Sequence, residues 1–300
     1  MMKPALEILQ LGYLRLGVQD FNWWQRFASL VGFGQVTDAP VGELQLRTDA
    51  ESDYRIAVHK GDVPGVSAVG WEVAGSREFS IVRERLLARG SSVFEATTEV
   101  KNSRKVEDMF VTLDPDGLCN EIYWGPNTAL RTPFRSPTGT VFESGACGNG
   151  HVTVNVTNSQ ATLDYYLQGL GFRLSDAAWM EGHSRVYFLR CNARHHSYAF
   201  AQMPKRPPGL VHVMTDISSM DCLGEVRDRL LDAGFRLSRD LGSHPLDGVV
   251  SFYVETPEGF EFELATGTRF ISEETWSSDR FSRTGRPWGH RKPTQTKDSQ

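Results

Sequence analysis

Three side chains in the second half of this sequence, His151, His212 and Glu263, are of the types that hold a divalent metal ion. Two imidazoles and one carboxylate leave coordination places open. That facial arrangement is the one non-haem Fe(II) uses to bring a substrate and dioxygen together. Each residue alone has a plainer reading: a histidine on an alternating strand packs as a half-buried structural group, and a lone strand glutamate is solvated. His195-His196 lies between the first two candidates, after Cys191–Arg194 and before a strand over Ser197–Ala201, so it is a candidate for the same pocket. His59, His183 and His290 have no such context and are read as structural.

An internal repeat singles out the three candidates. Gly150–Val156 (GHVTVNV) mirrors Gly12–Val18 (GYLRLGV), and each leads into a helical stretch closed by Gly-Phe. Leu210–Thr215 (LVHVMT) mirrors Val69–Val73 (VGWEV), again with a helix following. Thr256–Glu263 (TPEGFEFE) mirrors Asp114–Glu121 (DPDGLCNE) position for position. Tyr13 then corresponds to His151, Trp71 to His212 and Glu121 to Glu263, so only the second half offers the full ligand set.

The elements that must position these residues follow from periodicity. Strands are predicted over Leu11–Val18, Leu44–Arg47, Tyr54–His59, Val69–Val73, Met109–Leu113 and Asn120–Trp124, with helices over Phe21–Leu30 and Glu78–Ala88. In the second half, Val249–Val254 reads as a buried strand. Thr256-Pro-Glu-Gly259 reads as a tight turn, and Phe260–Leu264 as a strand whose phenylalanines and glutamates face opposite ways. The expected fold is α+β: two domains, each of two repeated β-α-β-β-β modules forming a partly open, barrel-like, mostly antiparallel sheet. The domains are read as residues 1–135 and 140–285, joined by the Pro/Ser/Thr/Gly-rich stretch Thr132–Thr140. A polar tail occupies 286–300, with Trp288 packing back on the body and the last residues mobile.

Composition narrows the function classes. Of 300 residues, 40% are hydrophobic and 23% charged, as in an ordinary globular chain. A net charge of −5 gives no basic footprint for nucleic acid. No apolar run is long enough to cross a bilayer, and residues 1–16 lack a signal-peptide pattern. Cys119, Cys147, Cys191 and Cys222 form no Cys-x-x-Cys pair, which reads as reduced thiols in a cytoplasmic enzyme. Trp179, Tyr187, Phe188 and Phe200 are read as core strand residues, the alternative being that some of them line a pocket for an apolar ring.

The stretch Gly242–Glu263 resembles the signature of the type I extradiol ring-cleavage dioxygenases of the vicinal oxygen chelate superfamily. His244, Phe252-Tyr253, Pro257-Glu-Gly259 and Glu263 carry the match, supported by Gly150-His151, Leu210-Val-His212 and Cys191–His196. It extends over the chain to about Trp288-Gly-His290 and is strongest toward two-domain enzymes acting on 2,3-dihydroxybiphenyl, 1,2-dihydroxynaphthalene or steroid-ring catechols. The resemblance implies iron ligation by His151, His212 and Glu263, with Mn(II) able to take the same donors. It implies that His196 is the acid–base histidine and that His244, Asp247 and Tyr253 contact the bound catechol or oxygen. It further implies a ring-opened hydroxy-oxo-dienoate product and a homo-oligomer. Leu246 departs from the pattern, which carries Asn before the aspartate. The competing readings on the same fold are a glyoxalase-like isomerase, which adds a further Glu ligand, and a non-catalytic binding module, which lacks the ligands.

Overall fold

The computed structural model describes residues 6–126, 133–179, 184–277 and 288–293. The first half runs β1 (Ile8–Val18), α1 (Phe21–Val31), β2 (Gly34–Gln35), β3 (Glu43–Arg47), β4 (Ile56–Lys60), β5 (Gly65–Val73), α2 (Ser76–Ala88), β6 (Val93–Glu95), α3 (Thr98–Arg104), β7 (Val106–Leu113) and β8 (Cys119–Pro126). The second half runs β9 (His151–Asn155), α4 (Ser159–Leu163, continuing as a π-helix to Leu170), β10 (Arg173–Trp179), β11 (Arg185–Arg190), β12 (Tyr198–Ala201) and β13 (Gly209–Asp216). It ends with α5 (Met220–Asp232), β14 (Leu237–Ser243), β15 (Val250–Glu255), β16 (Glu261–Thr266) and β17 (Trp288–Gly289). Each half builds one sheet, in the order β2-β3-β4-β1-β5-β8-β7-β6 and β10-β11-β12-β9-β13-β16-β15-β14-β17.

The sheets are mixed. In every module the helix carries the chain across the sheet, and the meander that follows returns its last strand parallel to its first. Hence β1 pairs in parallel with β4, β5 with β8, β9 with β12, and β13 with β16. The other pairings are antiparallel, so the expected antiparallel character holds for most of each sheet.

Side-chain alternation sets the layers. In the second sheet Val152, Val154, Val213, Phe262 and Leu264 face the main core. The opposite face of the same strands carries His151, His212 and Glu263. Helix α1 buries Trp24, Phe27, Ala28 and Val31 on one stripe and is capped by Asp20, whose side chain accepts from Trp23 N. Its aromatic stripe lies on the other half of the molecule: Phe27 meets Phe262 edge-on at 4.9 Å. Reciprocally, Trp71 meets Phe172 edge-on at 4.9 Å. One apolar core therefore spans both halves, with each fully buried aromatic worth roughly 2–3 kcal/mol.

The tight turns complete this exchange. Glu258 accepts from the backbone N–H groups of Gln19 and Asp20 at 3.0 and 3.4 Å and from the Trp24 indole at 3.1 Å. Asp116 in the matching turn accepts from Thr157 N at 3.1 Å. A carboxylate from each half thus meets backbone donors at the approach to a helix of the other. The described part of the Pro/Ser/Thr-rich connection docks as well: Thr140 donates to the last carbonyl of α1, Val31 O, at 2.7 Å, and Ser136 to that of the capping residue Gly32 at 2.6 Å. Among the described residues, no helix is long and apolar enough to cross a membrane.

The strand register corrects one expectation. Met214 pairs with His151 on one side and Glu263 on the other. Gly70 pairs in the same way with Tyr13 and Glu121. The counterpart of His212 is therefore Ala68, not Trp71. Trp71 points into the core from the opposite face, where its indole donates to Asn120 Oδ1 at 2.8 Å. Only the pairing with the neighbouring strands, which lie far away in sequence, fixes this correspondence.

Candidate active site

His151, His212 and Glu263 come from β9, β13 and β16, three neighbouring strands at the middle of the second sheet. His151 Nε2 lies 3.0 Å from His212 Nε2, and each of these nitrogens lies 3.3 Å from Glu263 Oε2. Three donors bound at right angles about 2.1 Å from one ion are about 3 Å from one another, so the spacing fits a facial metal site. The donors' own needs point the same way: Glu263 is 1% exposed, and its Oε1 has no hydrogen-bond partner. Burial alone would push the Glu263 carboxyl up. The hydrogen bond from His151, and the positive potential that His212, His151 and His244 can offer a carboxylate, overcome this and hold it well below the usual range. Burial holds His212 well below the ordinary histidine value, so its nitrogens keep a lone pair for a cation.

His196 stands beside this cluster, its ring 4.1 Å from that of His151. Its Nδ1 meets His195 Nδ1 at 3.0 Å, and His195 Nε2 meets Asp176 Oδ2 at 3.0 Å. The carboxylate requires a proton on His195 Nε2. With the proton on that nitrogen, His195 Nδ1 can accept from His196 Nδ1–H, a tautomer that leaves a lone pair on His196 Nε2. Burial first, and then the other imidazoles crowded around it, which disfavour a further positive charge, keep His196 well below the ordinary histidine value and therefore uncharged. Trp276 closes the outer side edge-on to His195 at 5.7 Å, its indole donating to Ser175 O.

The far side of the site is built by the Gly242–Glu263 stretch. His244 sits on a loop closed by His244 N to Val249 O (2.9 Å) and Gly248 N to His244 O (3.1 Å). Its Nε2 meets the Tyr253 hydroxyl at 2.7 Å and lies 3.7 Å from Glu263 Oε1. The His244 side chain is 33% exposed, so the site opens on this side. Asp247 braces the loop, accepting from Val249 N at 3.3 Å. Burial raises the Tyr253 phenol well above its ordinary value, with Glu263 adding to the effect, so it stays protonated as a donor.

An apolar wall lies beside these groups. Ala178, Val186, Ala201 and Leu246 form a cluster separate from the main core, with Phe188 and Met203 packed on it. Phe188 reaches the His196 ring at 4.9 Å. Of the four aromatics read as core, Phe200 is buried in it, stacked on Tyr187. Trp179 is instead exposed, because it ends β10.

Sequence reasoning missed three neighbours. Asp176 was not singled out on β10. Arg239 lies with its guanidinium carbon 3.5 Å from the centre of the Tyr253 ring and is paired with Glu261. His290, read as structural, packs on His244 with ring centres 4.3 Å apart. None carries a local signal: each arrives through strand pairing. His183 lies outside the described residues, and His59 only bonds Ser67 and Lys60 near the surface.

Comparison with known proteins agrees with this geometry. Residues 148–264 match the Glyoxalase/Bleomycin resistance protein/Dioxygenase superfamily, and residues 11–61 match the dihydroxybiphenyl dioxygenase BphC D1 family. The chain is 32% identical to an iron-dependent extradiol dioxygenase of Rhodococcus jostii (strain RHA1), covering 95% of this chain and 97% of that protein. It is 35% identical to a 3-methylcatechol 2,3-dioxygenase of Pseudomonas putida, covering 95% and 98%. The crystal structure of BphC, a halotolerant catechol dioxygenase, superposes with a TM-score of 0.84 at 27% identity over 96% of each chain. The chain therefore belongs to the glyoxalase/bleomycin resistance protein/dioxygenase superfamily. Within it, the chain is a member of the extradiol ring-cleavage dioxygenases.

Proposed function

We propose that this protein opens an aryl- or alkyl-substituted catechol beside its two hydroxyls, using iron(II) held by His151, His212 and Glu263. The observation that carries the reading is the convergence of three buried donor atoms 3.0–3.3 Å apart on adjacent strands. Iron(II) there would supply coordination places for both catechol oxygens and for dioxygen, and a path for electrons from ring to oxygen. The same donors suit manganese, so metal analysis of the purified protein decides between the two.

The chain's own residues then have separable tasks. A catechol must lose at least one hydroxyl proton to bind a cation, and the uncharged His196, with Nδ1 engaged by His195, offers Nε2 as the base. The same nitrogen is placed to return the proton when the ring opens. His244 and Tyr253 form a hydrogen-bonded pair at the open side, where the phenol steadies a developing oxygen charge. The wall of Ala178, Val186, Ala201, Leu246, Phe188 and Met203 receives an apolar substituent and excludes water. Leu246, which stands where the family pattern has Asn, enlarges that wall.

An oxygen electrode and a spectrophotometer test this reading. Iron-loaded protein is expected to consume dioxygen with 2,3-dihydroxybiphenyl or 3-methylcatechol and to form a yellow ring-opened product. It should favour both over unsubstituted catechol in kcat/KM. Equal kcat/KM for all three would remove the assigned role of the apolar wall. Absence of oxygen uptake with every catechol would remove the function.

A further inference from the structure

His290 directly follows the short strand β17, which adds itself to the outer edge of the second sheet by pairing with β14. Its backbone is left-handed (φ 52), a conformation residues with a side chain rarely adopt. The surroundings hold it there. At the crossing point Gly242 faces Gly289. A Cβ on Gly242 would lie 2.3 Å from His290 N and 2.5 Å from its ring. One on Gly289 would lie 2.2 Å from Leu241 O. Two glycines thus let β17 approach closer than any side chain would allow.

That approach presses the His290 ring onto His244, with centres 4.3 Å apart and planes 35° apart. The other end of the ring is tied down: Nε2 lies 3.2 Å from both the carbonyl and the hydroxyl oxygen of Ser251. A carbonyl only accepts, so Nε2 carries a proton. Burial, then the neighbouring His244 charge, pushes His290 down to about 4, so the ring is uncharged in neutral solution and serves as a flat apolar surface. His244 needs one. It is on a loop at the open side, and its side-chain hydrogen bond goes to Tyr253. One such bond leaves an imidazole free to swing about its last torsion. Tyr253 meets it edge-on (88°), and His290 covers a face.

We propose that His290 is a positioning residue for ring cleavage: by lying on His244, it holds that imidazole in the orientation that meets the Tyr253 hydroxyl. The proposal rests on the extradiol reading of the site. It makes the C-terminal strand part of the catalytic apparatus, although no atom of it touches the three candidate metal ligands by a hydrogen bond.

The test compares His290→Ala with His290→Phe, which keeps a flat ring but loses the Ser251 bond. With 2,3-dihydroxybiphenyl, His290→Ala is expected to lose about tenfold or more in kcat, with KM within about twofold and iron content unchanged. His290→Phe is expected to keep at least about a third of kcat. In crystals of iron-free His290→Ala, the His244 Nε2 to Tyr253 oxygen separation should open from 2.7 Å to beyond hydrogen-bonding distance. An unchanged kcat in His290→Ala, an unchanged separation in its crystals, or a Phe variant as slow as the Ala variant would each overturn the proposal. If His290→Ala does not fold, the Phe variant decides alone by the same kcat limit. A wild-type protein inactive on every catechol would sink the extradiol reading, while the iron-free separation would still report on His290.

Discussion

Glu121 and Arg104 meet in the first half through both carboxylate oxygens, at 2.8 and 2.9 Å, where the second half gathers its candidate ligands. Tyr13 donates a third bond to Glu121 at 2.5 Å. By strand register Tyr13, Ala68 and Glu121 stand where His151, His212 and Glu263 stand, and Tyr54 stands where His196 does. A guanidinium and a phenol satisfy a buried carboxylate that would otherwise need a cation. This half keeps the plan of the site, with the place that corresponds to the proposed metal filled by the protein's own side chains.

Breaking that pair tests the comparison. Arg104→Leu strands Glu121 in a buried place and is expected to cost about 3 kcal/mol in urea unfolding, with kcat of the folded protein unchanged. The double variant with Glu121→Leu should recover most of the loss. Equal stability of Arg104→Leu and wild type would mean that Glu121 does not depend on its partner.

Loss of one imidazole should empty the metal site. His212→Ala is expected to bind little iron by metal analysis while keeping its fold, since His212 has no hydrogen-bond partner at Nδ1 and faces away from the main core. Undiminished iron in that variant would remove His212 from the coordination shell.

The proposed base should be separable from the proposed ligands. His196→Gln is expected to keep iron and to lose about 10²- to 10⁴-fold in kcat, the usual contribution of a placed acid–base group. Asp176→Asn should move the same way by a smaller factor, because it disturbs the His195 tautomer that orients His196. Full activity of His196→Gln would overturn the assignment.

A pH dependence follows from Asp114, whose carboxyl burial pushes up from 3.8 to about 6. The folded chain keeps a proton that the unfolded chain has released. Its favourable contribution is complete below about pH 4 and is lost as pH rises through about 6. Asp114→Asn keeps the oxygen that accepts from Asp116 N and Leu118 N, both at 2.9 Å, without the buried charge. It is expected to stabilise the protein on the order of 2 kcal/mol near pH 7.5 and hardly at all near pH 4. The same gain at both pH values would contradict this.

The repeat, the facing of Glu263 and the elements that carry the histidines were legible because alternation and turn chemistry are local. Phe262 and Leu264 point to the core and Glu261 and Glu263 away from it, as the pattern of Phe260–Leu264 requires. What escaped is set by pairing between distant strands. Matching Leu210–Thr215 to Val69–Val73 by composition put His212 opposite Trp71, whereas the pairing of Met214 and of Gly70 with their neighbouring strands puts it opposite Ala68. Strand β6 has three residues and helix α3 seven, too short for a periodic signal. Trp288 was expected to pack on the body, yet its backbone docks by pairing with Ser243 while its side chain stays 50% exposed. Asp176, Arg239 and His290 reach the site through pairings with no sequence signature.

The most direct measurement is anaerobic loading of the chain with iron(II), removal of excess metal, and admission of air with 2,3-dihydroxybiphenyl in an oxygen electrode. The account predicts one bound iron per chain, one dioxygen consumed per catechol, and a yellow ring-opened product that the iron-free protein does not form. Protein that retains iron yet consumes no dioxygen, or that consumes it without opening the ring, would contradict it.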